Sequence, residues 1–279
     1  MRREELVRLL VDGLGVRGNH IVVHTNEAAL GPVDGGAAAV CAALLDAVGE
    51  GGTVLMPAFT YPDTLSDASD RAHRTPDGVA VSPSRIVFHP DLPVHAAVGP
   101  VAEAFRHIPG VLRSNHPSHS FCAWGRQARD VLSTQRDNNP LGPLKKLNVL
   151  QGQVLLLGAG LDAATVVHLA QEKVEAVSYL RRRTAQRLNA AGYAERVVLD
   201  NLPGCSAAFV RLEDLLEPSK VRSVALPNGV ARRIPVRYLV RLADVLLERD
   251  PRALVCDRPE CTACAPLRAG SDAGVPAAE

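Results

Sequence analysis

The sequence contains no apolar run approaching the ~20 residues that a membrane helix requires. Nor does it carry an excess of either charge: 31 Lys and Arg stand against 30 Asp and Glu, for a formal net charge of +1. A nucleic-acid footprint needs a concentrated basic stripe. The arginine clusters Arg181-Arg182-Arg183 and Arg232-Arg233 read instead as solvated ends of helices or strands. Neither nucleic acid nor a membrane is therefore expected as a partner. Aromatic residues make up only 4%, which leaves little surface for stacking a ligand. The opening Met1-Arg2-Arg3-Glu4-Glu5 contains acid and has no long apolar core behind it, so no secretory signal is expected and the expected location is the cytoplasm.

The six cysteines then read as reduced thiols. Cys41, Cys122 and Cys205 are scattered among apolar residues and are expected in the core. Cys256, Cys261 and Cys264 lie close together, with Asp257 and Glu260 between them. A structural zinc site wants four ligands. Three cysteines without a neighbouring histidine fall one short, and nothing in the sequence brings Cys205 near them. No metal is expected, and free thiols on a surface turn are.

Hydrophobic residues make up 47% of the 279, enough for a sizeable core. Leu6, Leu9, Leu10 and Leu14 have helical spacing, so the first helix is expected over Glu4 to Leu14. The run Ile21-Val22-Val23 within His20 to His24 predicts a buried strand. Ala37 to Val48 predicts a helix stopped by Gly49, and Thr53 to Met56 a second strand. This alternation is an α/β signature. From Thr60 to Pro100 periodicity fades, as in a functional loop or lid. Further helices are expected at Val101 to His107, Gln127 to Ser133, Thr165 to Ala176 and Val236 to Glu248. Strands are expected at Ser120 to Trp124, Gln153 to Leu157, Arg196 to Asp200, Ala225 to Leu226 and Ile234 to Val236. One domain is expected over 1–265, with a frayed tail over 266–279.

Three segments carry chemistry. Strand, loop and helix over Val22 to Gly36 end in Val33-Asp34-Gly35-Gly36, where free backbone N–H groups and the helix dipole can take an anion such as a pyrophosphate; Asp34 could equally be a helix cap. Arg113-Ser114-Asn115-His116-Pro117-Ser118-His119-Ser120 offers imidazoles and hydroxyls, either as hydrogen-bond donors and a general base or as ordinary loop residues. Leu155-Leu156-Leu157-Gly158 leads to Thr165 and His168, three apart and so on one helix face. That places a hydroxyl and an imidazole beyond the carboxyl end of a strand. Glu172 could orient the ring; an ordinary polar face with Asp162 as a cap is the alternative.

Together these segments resemble the aminoglycoside 3-N-acetyltransferase family. The matching residues are His24, Val33 to Gly36, Met56-Pro57-Ala58-Phe59-Thr60, Phe105-Arg106-His107-Ile108-Pro109-Gly110, Arg113 to Ser120, and Leu155 to Gly158 followed by Thr165 and His168. They keep the family order from about His20 to Glu172.

The resemblance implies a three-layer α/β/α domain with a central mixed sheet, and transfer of an acetyl group from acetyl-CoA to an amine, without a covalent acyl-enzyme or a metal. His24, Thr25, Val33, Gly35, Gly36, Ser114, His116 and Ser120 would bind the CoA donor. His168 would be the general base, with Thr165 among the donors for the oxyanion and Glu172 beside the ring. Tyr61 and Asp63, in an acidic stretch suited to a polycation, would face the acceptor.

The sequence departs from the family pattern at several points. Thr25, Asn26 and Glu27 follow the loop histidine where serines are usual. His89 sits in a Phe-Asp-Pro position, and Gly142 replaces a serine. Gln171 stands where the family often carries Glu, three residues after the histidine, and cannot stabilise an imidazolium as a carboxylate does. These departures admit an acceptor from natural-product assembly. They also admit the same scaffold reused for a lyase, hydrolase or other acyl transfer, or for binding without turnover. A homodimer is the default assembly.

Overall fold

The apolar runs form the centre of a mixed sheet. The computed structural model describes residues 1–60, 73–74, 80–81, 87–177 and 179–269. Its strands are β1 (His20–Thr25), β2 (Thr53–Pro57), β3 (His73–Arg74), β4 (Ala80–Val81), β5 (Val87–Phe88), β6 (Leu112–Arg113), β7 (Phe121–Gly125), β8 (Gln153–Leu157), β9 (Arg181–Leu188), β10 (Ala194–Leu202), β11 (Arg222–Leu226) and β12 (Gly229–Pro235). Its α-helices are α1 (Arg3–Arg8), α2 (Glu27–Leu30), α3 (Gly36–Val48), α4 (Pro100–Arg106), α5 (Ala128–Leu132), α6 (Gly142–Val149), α7 (His168–Gln171), α8 (Val236–Arg249) and α9 (Ala265–Ala269).

The main sheet runs β11-β12-β8-β1-β2-β7-β6. β1 lies parallel to both β8 and β2, with Val22 opposite Val154 and Leu55. β12 and β7 close the two sides antiparallel. A smaller sheet, β10-β9-β5, stands apart from it.

Successive strand residues face opposite sides of a sheet, and here both sides are covered. Val22, Leu55, Val154 and Leu156 enter one core with α5, α6, α8 and the 3₁₀ segment Ala207–Leu215. Ile21, Val23, Val54, Met56, Leu155 and Leu157 enter the other with α1, α3 and α4. The architecture is the expected three-layer α/β/α.

Several expectations change in detail. The first helix turns π-helical over Leu9–Gly13. The helix expected over Thr165 to Ala176 is instead one 3₁₀ turn, Thr165–Val167, followed by the short α7; a further 3₁₀ turn, Leu161–Ala163, precedes it. β9 and α6 had no sequence counterpart. Ordered structure also continues beyond Ala265, where a tail was expected: Ala265–Ala269 is helical, and Arg268 donates to the Cys256 carbonyl at 2.6 Å. Asp34 does not cap α3, whose N-cap is Gly35 at φ 86°.

Gly158 ends β8 with φ +74°, and a Cβ there would lie 2.3 Å from the Ala29 methyl. Both the left-handed backbone and the close approach of α2 require glycine. We expect Gly158→Ala to lower unfolding stability by about 2 kcal/mol or more, read from the urea midpoint at unchanged slope.

Candidate active site

The parallel strands β8, β1 and β2 all end on the same side of the sheet, the usual position for a ligand crevice in α/β proteins. A cavity of about 250 Å³ opens there. β1 contributes Val23, His24 and Thr25, and β2 contributes Met56 and Pro57, with Phe59 just beyond it. The segment after β8 supplies Asp162, Ala163, Thr165 and His168, and Pro203, Gly204 and Ser206 form a further wall.

His168 is 5% exposed and opens the first turn of α7. Its Nδ1 lies 2.6 Å from Gln171 Oε1. An amide oxygen only accepts, so Nδ1 carries the proton and Nε2 keeps its lone pair. The Phe209 ring meets the imidazole edge-on at 4.7 Å between centroids. Burial lowers the His168 pKa to about 4, against a smaller upward pull from the Gln171 hydrogen bond.

The expected role of Glu172 is corrected. Its carboxylate forms an ion pair with Lys145 at 2.8 Å, while Gln171 takes the position beside the ring. The cause is spacing: in the single turn of α7, the i+3 side chain meets His168 and the i+4 side chain points to α6. Thr165 is buried in the same wall, its hydroxyl 3.4 Å from the Ala163 carbonyl.

His24 lines the same cavity as Thr165 and His168, from the strand side. Burial lowers its pKa to about 4, and among the described residues its Nε2 has no hydrogen-bond partner. The Thr25 hydroxyl donates to Glu27 Oε1 at 3.0 Å. The same oxygen accepts the Val101 N–H in the first turn of α4 at 3.3 Å. Glu27, one of the departures at the loop histidine, thus caps a helix at the cavity edge.

The other expected donor-binding residues lie outside this lining. Val33, Gly35 and Gly36 form the turn into α3, with Gly36 N–H bonded to the Val33 carbonyl at 2.9 Å. That turn is fastened to the chain's first residue: the Met1 amine donates to Pro32 O, and Asp34 N–H to Met1 O. Ser114 and Phe121 exchange backbone and hydroxyl hydrogen bonds. Ser120 Oγ donates to the Ala58 carbonyl at 2.6 Å and accepts from Arg113. His116 Nδ1 accepts the His119 N–H at 3.0 Å. Ser114 and His116 line a separate cleft with Asp137 and Arg187. The Arg113 to Ser120 motif is thus engaged in hydrogen bonds within its own turn and to Ala58, Pro90 and Leu92. Tyr61 and Asp63 lie outside the described residues.

Two features had no sequence signal. Pro203, Gly204 and Ser206 reach the cavity, and Phe209 reaches the His168 ring, from well downstream of His168. The fold also supplies the missing fourth cysteine: the sulfurs of Cys205, Cys256, Cys261 and Cys264 all lie within 4.8 Å of one another.

His24, His116 and His168 share a direction of pKa shift, each lowered by burial from the ordinary 6.5 to about 4. The unfolded chain therefore binds protons between these values that the native state refuses. Their contribution to stability is full above about pH 6.5 and falls as the pH drops toward 4. The urea midpoint should decline steeply from pH 7 to pH 5, and less so in His116→Gln.

The family profile described as aminoglycoside 3-N-acetyltransferase matches residues 22–248. Aminoglycoside N(3)-acetyltransferase IV of Salmonella sp is 32% identical over 90% of this chain and 88% of its own length. The aminoglycoside N(3')-acetyltransferase-like protein YokD of Bacillus subtilis is 36% identical, over 57% of this chain and 60% of that protein. Among solved structures, the apoenzyme of aminoglycoside acetyltransferase AAC(3)-IVa superposes with a TM-score of 0.74 at 30% identity, covering 94% of this chain and 96% of that one. AAC-IIIb, solved as a binary complex with CoASH, superposes at 0.70 with 25% identity, over 89% and 97% of the two chains. A histidine-to-alanine mutant of AAC(3)-IVa in complex with a gentamicin matches at 0.74 with 29% identity, over 94% and 95%. With the profile spanning most of the sequence and the fold shared end to end, the chain belongs to the aminoglycoside 3-N-acetyltransferase family.

Proposed function

We propose that the protein moves an acetyl group from acetyl-CoA to an amine, with His168 as general base. The observation that carries this reading is the neutral, buried imidazole of His168 at the wall of the strand-end cavity, its Nδ1 committed to Gln171. Membership of an acetyltransferase family and the CoA complex of AAC-IIIb support the donor.

Acetyl-CoA would supply the thioester carbonyl that the amine attacks. The turn at Gly35 and Gly36 suits its phosphates. Among the described residues no acid sits in the first turn of α3, no side chain caps it, and a Cβ at Gly36 would meet nothing within 4 Å. Free N–H groups and the helix dipole are thus open to an anion.

A base with a pKa near 4 does not strip a proton from a free ammonium ion. It accepts readily from nitrogen once the new C–N bond has made that N–H strongly acidic, so Nε2 acts during attack rather than before it. The Thr165 hydroxyl, held among the described residues by a long contact to Ala163, can turn to donate to the developing oxyanion. Phe59, Met56 and Phe209 keep the surroundings dry, which strengthens such bonds.

An aminoglycoside is the first acceptor to consider, since a gentamicin occupies the AAC(3)-IVa mutant. A different amine is the second, since Thr25, Asn26, Glu27 and Gln171 depart from the family pattern. Incubation with acetyl-CoA and a panel of amines, read by mass spectrometry, decides between them. We expect one acetyl group added, with His168→Ala reducing turnover by at least ~100-fold while CoA still binds. No acetylated product together with no CoA binding would overturn the reading.

Replacing Gln171 by glutamate puts a carboxylate beside the ring and favours its charged form. Since only neutral His168 works as base, the acid limb of kcat/KM should move to higher pH in Gln171→Glu. An unmoved limb would mean that His168 is not the titrating base.

A further inference from the structure

Cys205, Cys256, Cys261 and Cys264 come from two distant stretches of sequence, yet their four sulfurs lie within 4.8 Å of one another. All four are free thiols, three of them buried and Cys261 partly so. We propose that they form a structural zinc site that clamps the C-terminal segment onto the wall of the cavity.

The donor set is specific. Four cysteine sulfurs around one point are the ligand set of a closed, tetrahedral structural zinc, with no position left for substrate or water. Zinc–sulfur bonds of about 2.3 Å place the sulfurs about 3.8 Å apart, so an ion would draw this cluster in by less than about 1 Å. Cys261 and Cys264 occupy one turn, with the Cys264 N–H bonded to the Cys261 carbonyl at 3.2 Å, and that turn leads into α9. Cys256 precedes it by one loop, and Cys205 approaches from the other side.

The surroundings suit four thiolates. The Ala207 N–H points at Cys205 Sγ at 3.3 Å. Arg268 donates to the Cys256 carbonyl, and Arg211 donates to the Val255 carbonyl and to Asp257. Two guanidiniums thus brace the backbone carbonyls beside the cluster, Arg211 while paired with Asp257, around a centre whose net charge would be −2. Binding Zn²⁺ releases the four thiol protons to solvent and changes no oxidation state.

The position gives the ion its purpose. Cys205 sits between Gly204 and Ser206, both of which line the cavity, and the 3₁₀ segment that follows carries Phe209 to the His168 ring. Zinc would fix this wall without entering the reaction.

Elemental analysis of the full-length protein, purified without metal-affinity resin, is the test. We expect one zinc per chain. A mercurial that titrates the thiols should release one equivalent of zinc to a chromophoric chelator, with a fall in Tm. Cys261→Ser, at the most exposed ligand, should lower zinc content at least ~10-fold, whereas Cys41→Ala should leave it at one. Less than about 0.1 zinc per chain with four titratable thiols would overturn the proposal. So would a disulfide within the cluster, or iron with acid-labile sulfide.

Discussion

Strand β1 is hydrogen-bonded in parallel on both sides, to β8 and to β2. Parallel strands need covering on both faces, and the alternation of Ile21, Val22 and Val23 supplies an apolar side chain to each. The same pairing aligns the carboxyl ends of three strands. His24 and Thr25 emerge at those ends beside the segment that leaves β8. The cavity is a consequence of that triplet, and every residue assigned to the chemistry is placed by it.

Burial then sets the character of the site. His168 is almost wholly enclosed by its neighbours, and desolvation holds it neutral. A carboxylate partner would oppose this by stabilising the charged ring; Gln171 orients the ring without doing so. Lys145 meanwhile holds Glu172 away from the imidazole. Phe209, which packs on the imidazole, follows Cys205 by four residues, so the thiol cluster lies close in sequence to the wall at the histidine.

Legibility varied with the kind of signal. β8 appears at the bounds its apolar run implied, and α3 and α8 to within a residue or so, because periodicity and glycine stops are local properties. β9 was missed: its sequence Arg-Arg-Arg-Thr-Ala-Gln-Arg-Leu is charged, and it is held as a strand by pairing with β10 rather than by a buried face. The stretch from Thr165 onward looks helical by composition. In the structure it breaks into one 3₁₀ turn and the short α7, since its side chains must pack under α8 and present two of their number to the cavity.

The sequence alone determined the α/β class and the motif order that marks the family, and it singled out His168 and Thr165 as candidates. Each depends on residue type, on spacing within short segments, or on the order of those segments along the chain. Tertiary structure decided which neighbour touches the imidazole, which motif residues reach the cavity and which hold their own loop. It also brought Cys205 to three cysteines some 50 residues away. Each of those outcomes rests on a contact between elements far apart in the chain, and no local pattern encodes such a contact.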